Sequence, residues 1–423
     1  MNNSTLCIGA DIHLKDIVLR GVDKASGQEV IERFRVTNNR PGAQAAVVTI
    51  AQTAASLGYT HIEIAWEATG MLWLPFHCFL ATNPLLQPFE PELVCFNPKL
   101  VAKFKQGLDL RGQKDDERDA YDVAARLRFG ELPLSYVPDD FWQGLRRLTR
   151  YRYRLSRTLS REKMRFQSIA FLKCSDWKRV KPFSDILGAT SAALLTEFTA
   201  AELRDFSLLQ LAGIIARRGR GRFDDPDATA RAVQRALRSS YPIESQLDEM
   251  VTFSLATIWD HIHFIQRLMK RLDKQVAHAI DPVPNPIITV KGLGPVITAG
   301  LLAEIVDISR FPEHRHLAQY VGLTWHKRSS GGFVSQNTRL TKIGNVYARY
   351  YFILGANALR RFNLEYQAFY WRKYQEVPKH QHKRALVLTA RKLVRLVHAL
   401  LTKNVPYVRP QMPVRFQEDV LLQ

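Results

Sequence analysis

The sequence predicts an α/β domain at the front of the chain and a mostly α-helical remainder. Three observations carry that expectation. Strand-like patterns recur three times before the first helical pattern, two later stretches keep apolar residues at helical seam spacing over many turns, and the proline-rich "DPVPNP" separates the second of these from more helical patterns.

The first three strands are "TLCIGADIHL", "DIVLRGVD" and "EVIERFRVT", the last two joined by the turn-rich "KASGQ". "PGAQAAVVTIAQTAASLG" follows as a helix, with Pro41 near its start and Gly58 past its end. "THIEIAWE" is a buried strand, a helix lies around 72–82, and "ELVCFN" is another strand. Three antiparallel strands and then alternating helix and strand is the order of a ribonuclease H-like sheet. In "QKDDERDAYDVAARL", Ala120, Val123, Ala124 and Leu127 recur at helical spacing, so Asp116 and Asp119, three apart, project from one face.

From about residue 141 the character changes. Nine Lys or Arg fall between 146 and 165 against one Glu. Leu148, Leu155, Leu159 and Phe166 form a narrow apolar stripe, while Arg147, Arg150, Arg154, Arg157 and Arg161 step along another face. A second long helix is expected over about 244–280, with Leu255, Ile258, Ile262, Ile265, Leu268, Leu272 and Val276 at seam spacing. The pair suggests an antiparallel hairpin or a dimerising coiled coil, and a solvated basic face on an ordinary core helix is the plainer reading. Between them "ARRGRGRFDDPDAT" reads as a basic loop, too glycine-rich to be helical.

After the proline linker, "IITVKGLGPVITAGLLAEI" has the form of a helix-hairpin-helix turn. Lys291, Gly292 and Gly294 would let backbone N–H groups face a nucleic-acid phosphate without reading sequence. A Gly-Pro helix start without a ligand is the alternative. Further on, "HKRSSGGFVSQNTRLTKIGN" sets two serines and two glycines among Lys327, Arg328, Arg339 and Lys342, which places a hydroxyl on a loop amid positive charge.

Charge narrows the function. Sixty Lys and Arg against forty Asp and Glu give the 423-residue chain a formal net charge of +20, the footprint of a polyanion partner, with nucleic acid first and an acidic membrane surface second. The longest near-apolar stretch, "MLWLPFHCFLA", is interrupted by Pro75 and His77 and falls short of the roughly 20 residues needed to span a bilayer. The start of the chain lacks a basic n-region and meets Asp11 within its apolar run, unlike a signal peptide, so a cytoplasmic location is expected. Cys7, Cys78, Cys95 and Cys174 are scattered without a CxxC, which suits reduced thiols better than a disulfide frame or zinc site. The His-x-His pairs at 261/263, 314/316 and 380/382 do not share a helix face.

Four acids stand out against this background. Asp11 lies within the first strand, Glu67 ends a strand that otherwise reads as buried, and Asp116 and Asp119 share a helix face. Clustered carboxylates repel unless a cation neutralises them. Four converging from two strands and a helix would make an oxygen-rich pocket for Mg²⁺, suited to displacement at a phosphodiester. Solvated acids, with "DDER" as a helix N-terminus that favours negative charge, are the other reading.

Together these motifs resemble the DEDD insertion-sequence transposases of the IS110 type, understood as bridge-RNA-guided recombinases and related to the Piv-like invertases. The resemblance covers most of the chain. It rests on "GADIHLKD", "WEATG", "CFNPKLV" and "KDDERDA" in the first part, and on "GLGPVITA", "YVGLTWHKRSSGG" and "TKIGN" in the last. It implies a RuvC-like tetrad of Asp11, Glu67, Asp116 and Asp119 holding Mg²⁺, and Ser330, directly before the first glycine, as the nucleophile, with Ser329 its rival. Trp325 stands where the family commonly has Pro. A structured guide RNA pairing with donor and target double-stranded DNA is also implied, as is a homo-oligomer, a dimer or an assembled tetramer, whose protomers share the site. The expected domains are a catalytic one at 1–135, a basic coiled-coil region at 136–285 and a C-terminal domain at 286–423 carrying the serine. A metal-dependent junction-resolving nuclease would need the four acids and no serine, and a non-catalytic nucleic-acid-binding protein would need neither.

Overall fold

The structure, a computed structural model, describes residues 4–108, 116–130, 136–325, 329–330, 333–334 and 340–409, without the side chains of residues 108, 116, 117, 329, 330, 333 and 334. It divides into two compact units, Met1–Val137 and Pro138–Gln423.

In the first unit β1 (Thr5–Ile12), β2 (Asp16–Asp23), β3 (Glu29–Thr37), β4 (His61–Glu67) and β5 (Glu92–Phe96) form one sheet in the order β3-β2-β1-β4-β5. β1 pairs antiparallel with β2 and parallel with β4, and β5 continues the parallel half, as the ribonuclease H-like order requires. Helices α1 (Arg40–Leu57), α2 (Trp73–Ala81), α3 (Pro98–Leu108) and α4 (Asp116–Arg128) complete it. The Asn39 side chain caps α1 by accepting from Gly42 N at 3.0 Å, and Gly58 ends the helix at φ 73, a backbone state that suits glycine. α3 is an element the sequence reading did not anticipate.

Alternation along the strands sorts side chains to two faces. Leu6, Ile8, Ala10 and Ile12 of β1 join Ile62, Ile64 and Trp66 of β4 in a core with Ala46, Val47 and Ile50 of α1. Cys7 and Ala65 turn the other way, into a smaller core with Val123, Ala124 and Leu127 of α4. The α4 backbone lies directly on β1 at Gly9. A Cβ there would stand 2.0 Å from Ala120 O and 2.5 Å from Ala124 N, so any side chain would push α4 off the sheet.

The second unit is helical: α5 (Asp140–Lys173), α6 (Trp177–Val180), α7 (Ala189–Glu197), α8 (Ala200–Asp205), α9 (Leu208–Gly219), α10 (Pro226–Arg238), α11 (Ser245–Ile280), α12 (Pro295–Ile305), α13 (His314–Val321), α14 (Val346–Phe362), α15 (Leu364–Gln375) and α16 (Gln381–Lys403). The long helices α5 and α11 pack antiparallel within the chain. Arg152 meets Asp273, Phe166 meets Trp259, and Lys173 donates to Thr252 Oγ1. Each helix serves two cores. Phe166, Leu255, Ile258 and Ile262 pack with α7–α10, whereas Leu145, Val276 and Ile280 pack with α12–α16.

The segment expected as a basic loop is mostly ordered differently. Residues 216–219 form the last turn of α9, α10 begins at Pro226, and a tight turn joins them through Arg220 at φ 50 and Gly221 at φ 72. Helix propensity summed over α9 outweighs the cost of one terminal glycine. The expected helix-hairpin-helix turn is a short 3-10 helix, Pro286–Thr289, leading through Val290–Gly294 into α12. Among the described residues, no helix is long and apolar enough to cross a membrane.

Candidate active site

Asp11 and Glu67 lie at neighbouring C-terminal ends of parallel strands. The β1–β4 register, Ala10 opposite Trp66, brings the next residue of each strand side by side. Counting from Cys7 and Ala65, both fall on the face covered by α4. Asp119 sits on α4, one residue before the buried Ala120 that anchors the helix to β1. Three of the four expected acids are thereby brought into one electrostatic cluster. Asp116 begins α4, and its side chain lies outside the described residues.

Electrostatics show how tightly the three are coupled. Burial pushes the Asp11 carboxyl above its ordinary range; His13 and Lys105 oppose the rise and Asp119 adds to it. Burial likewise raises Glu67, with Lys105 again opposing and Asp119 and Asp11 reinforcing. His13 Nε2 stands 2.9 Å from Asp11 Oδ2. Apart from that contact, Asp11 Oδ2 is buried without a hydrogen-bond partner.

Lys105 was missed by sequence reasoning. Its Nζ donates to Asp119 Oδ1 at 2.6 Å and lies 3.8 Å from Glu67 Oε1. The available signal was the helical spacing of Val101, Phe104 and Leu108, which puts Lys105, four residues after Val101, on the edge of that stripe. An ammonium between two carboxylates shows that the cluster attracts a cation. Among the described residues, no three His, Cys, Asp or Glu side chains converge closely enough to hold a metal ion, and Asp116 is not among those side chains. The donors still suit a hard divalent cation. All are carboxylate oxygens, one is a buried oxygen with only His13 beside it, and the acids repel one another when charged.

Ser329 and Ser330 form a two-residue strand paired with Phe333–Val334, with Ser330 opposite Phe333, so the serines lie on a hairpin. Trp325 and Leu340 form a separate antiparallel bridge. Lys327, Arg328, Arg339 and both serine side chains lie outside the described residues. Lys342 is exposed, with its backbone at φ 53.

On α5, Arg147, Arg154, Arg157 and Arg161 are exposed as expected. Arg150 is committed elsewhere: Nε and Nη2 donate to the two oxygens of buried Glu304 at 2.7 and 2.8 Å. Asn345 of "TKIGN" donates to the same carboxylate at 2.7 Å while capping α14. Lys291 and Gly294 are exposed. Gly292, at φ 107, turns inward; its Cβ position lies 3.3 Å from Phe362 Cβ, so its freedom serves packing on α14.

Two family models match the chain. A DEDD transposase model of the IS110 type matches residues 8–172, and the model of the transposase IS116/IS110/IS902 family matches residues 285–371. Together they span more than half of the chain and both mark the same kind of enzyme. No curated protein matches it.

Proposed function

The chain belongs to the DEDD transposases of the IS110 type, and from that premise we propose that it is an RNA-guided recombinase that cuts and rejoins DNA through a covalent serine intermediate. As a transposase it acts on DNA, and its DEDD domain implies dependence on a divalent metal. The observation carrying the proposal is the acid cluster at the ends of β1 and β4, which the fold builds from distant segments and in which burial and mutual repulsion raise Asp11 and Glu67 despite Lys105 and His13.

Asp11, Glu67 and Asp119, with Asp116, would hold Mg²⁺. When bound, the ion supplies Lewis-acid stabilisation of charge at the scissile phosphate. The Ser330 hydroxyl attacks phosphorus, a serine–phosphate bond forms as the bond from phosphorus to the DNA oxygen breaks, and the serine proton passes through solvent to that oxygen, which departs as the hydroxyl of the free strand end. Exposed Arg147, Arg154, Arg157 and Arg161 fit a phosphate backbone, leaving sequence choice to base pairing with the guide RNA. Strand exchange between donor and target calls for at least a dimer.

The test is a denaturing gel of labelled DNA incubated with Mg²⁺, guide RNA and protein. A covalent adduct should form, vanish in Ser330→Ala and persist in Ser329→Ala. Cleavage that continues in Ser330→Ala without an adduct would make the protein a nuclease using water.

A further inference from the structure

A solvent-open cleft of about 610 Å³ lies in the helical unit, bounded by α7, the C-terminal end of α9 and the middle of α11. Residues 173–284 fall outside both family matches, so nothing in those matches assigns this cleft a role. Four arginines, Arg217, Arg218, Arg220 and Arg222, line it against two acids, Glu197 and Asp260. Arg218 is paired with Glu197. Arg217, Arg220 and Arg222 are exposed and make no ion pair among the described residues. Across the cleft, Trp259 is half-buried, leaning on Phe166 on the core side and meeting His263 edge-on at 4.5 Å.

Arg217 and Arg218 lie in the last turn of α9, and Arg220 and Arg222 sit on the tight turn that follows. A Cβ at Gly219 would stand 2.3 Å from the Phe223 ring, so glycine is required for that ring to close over the helix end. Phe223 in turn packs edge-on against Phe183 at 5.6 Å, beside the core. Arg220 itself adopts φ 50, a conformation that costs an arginine about 1 kcal/mol or more. A strained turn that gathers like charges is costly on both counts, and an anion bound in the cleft would offset the repulsion.

We propose that this cleft binds an unpaired stretch of nucleic acid, its phosphates on Arg217, Arg220 and Arg222 and a base against Trp259 and His263. Guanidinium groups beside an aromatic ring form the combination that grips single strands, because only an unpaired base exposes its face for stacking. A free nucleotide fits less well, since small-molecule sites enclose most of their ligand and this cleft is walled mostly by exposed residues. An adjoining hollow shares Glu197, Arg217 and Arg218 and extends the groove to Phe198 and Ile214, giving a strand room to continue. The recombinase reading supports the ligand class, but the site stands on its own geometry.

Full-length protein is titrated with labelled single-stranded RNA, single-stranded DNA and duplex DNA over a range of salt. The comparison variant is Arg217→Gln/Arg220→Asn/Arg222→Gln, with asparagine at 220 because it tolerates positive φ. Single-strand affinity should fall, and the slope of log affinity against log salt should drop by roughly 2, at about 0.7 per phosphate contact. Whichever single strand shows that loss is the source. Trp259→Leu should weaken binding about tenfold or more, while Trp259→Tyr, which keeps a ring and guards against a folding artefact, should retain most of it. Unchanged single-strand affinity and slope in the triple variant would overturn the proposal, as would an equal loss on duplex DNA or equal competition by a mononucleotide. If Ser330→Ala still forms adducts while single-strand binding depends on these arginines, the recombinase mechanism fails and this site stands.

Discussion

Two regions of the molecule hide carboxylates from water in opposite ways. In the helical unit, Glu304 is fully buried, and each oxygen is met by the chain: Arg150 forks onto both, Asn345 donates to one, and Arg146 lies 3.9 Å away. In the α/β unit, Asp11, Glu67 and Asp119 share one lysine, Asp11 has only His13 beside its buried oxygen, and burial with mutual repulsion raises Asp11 and Glu67. The first arrangement ties α5, α12 and α14 together. The second leaves half-buried, mutually repelling acids whose charge Lys105 and His13 offset only in part, the arrangement that a cation would complete under the proposed function.

The sharpest way to break this contrast is Asp11→Asn. Cleavage should fall by about a thousandfold, on the scale of the several kcal/mol that a bound divalent ion contributes. Metal-free thermal stability should stay the same or rise, because partial burial already disfavours the charged Asp11 carboxylate. A parallel fall in melting temperature would place Asp11 with the architectural acids. The converse change, Glu304→Ala, should cost about 3–5 kcal/mol in chemical denaturation, since it strands the Arg150 guanidinium between helices. A cost well under 1 kcal/mol would show those arginines turning freely to water.

A smaller effect reports how dry the α4 face of the sheet is. Burial pushes the Cys7 thiol from its ordinary value of 9.0 up to about 12, with Glu63 contributing further. A raised folded-state value favours folding below the unfolded one, so this contribution is complete below pH 9 and is lost as pH climbs towards 12. Relative to Cys7→Val, which cannot ionise, the native protein should lose about 1 kcal/mol per pH unit above 9 in denaturant titrations. A constant difference would mean that water reaches the thiol. Smallest is Lys105→Met. With the chain's own cation gone, the melting temperature should rise more on adding Mg²⁺, with metal binding strengthened by about 1 kcal/mol. An unchanged shift would place Lys105 outside the competition for Glu67 and Asp119.

Comparison of the two regions also shows what could be read without coordinates. Strands β1 to β3 were evident from alternation and turn residues, and α1 from its flanking proline and glycine, because these signals act between near neighbours. Asp11 and Glu67 stood out as charges in apolar strands. The partners of these acids were hidden. Lys105 reaches Glu67 across 38 positions of chain and Asp119 across 14, and α3, the helix that carries it, has too short an apolar stripe to announce itself.

The sequence by itself determined the order of the five strands with α1 and α2, the sheet class, the two long helices and the candidate acids, all of which follow from local periodicity and from charge in an apolar setting. Tertiary structure alone decided which charges are free to act. Arg147 and Arg150 read alike in a basic helix, yet Arg147 faces solvent while Arg150 closes on Glu304, 154 positions away. Gly9 carries no side chain to mark it in the sequence, yet it is where α4 touches the sheet and brings Asp119 towards Asp11. The glycine-rich basic stretch reads as a loose loop, yet Phe223 closes over Gly219 and holds its arginines on a cleft wall. The physical reason is common to the three cases. Periodicity places a side chain on a face, but its neutralisation depends on which distant group packs against that face, and that pairing exists only once the chain has folded.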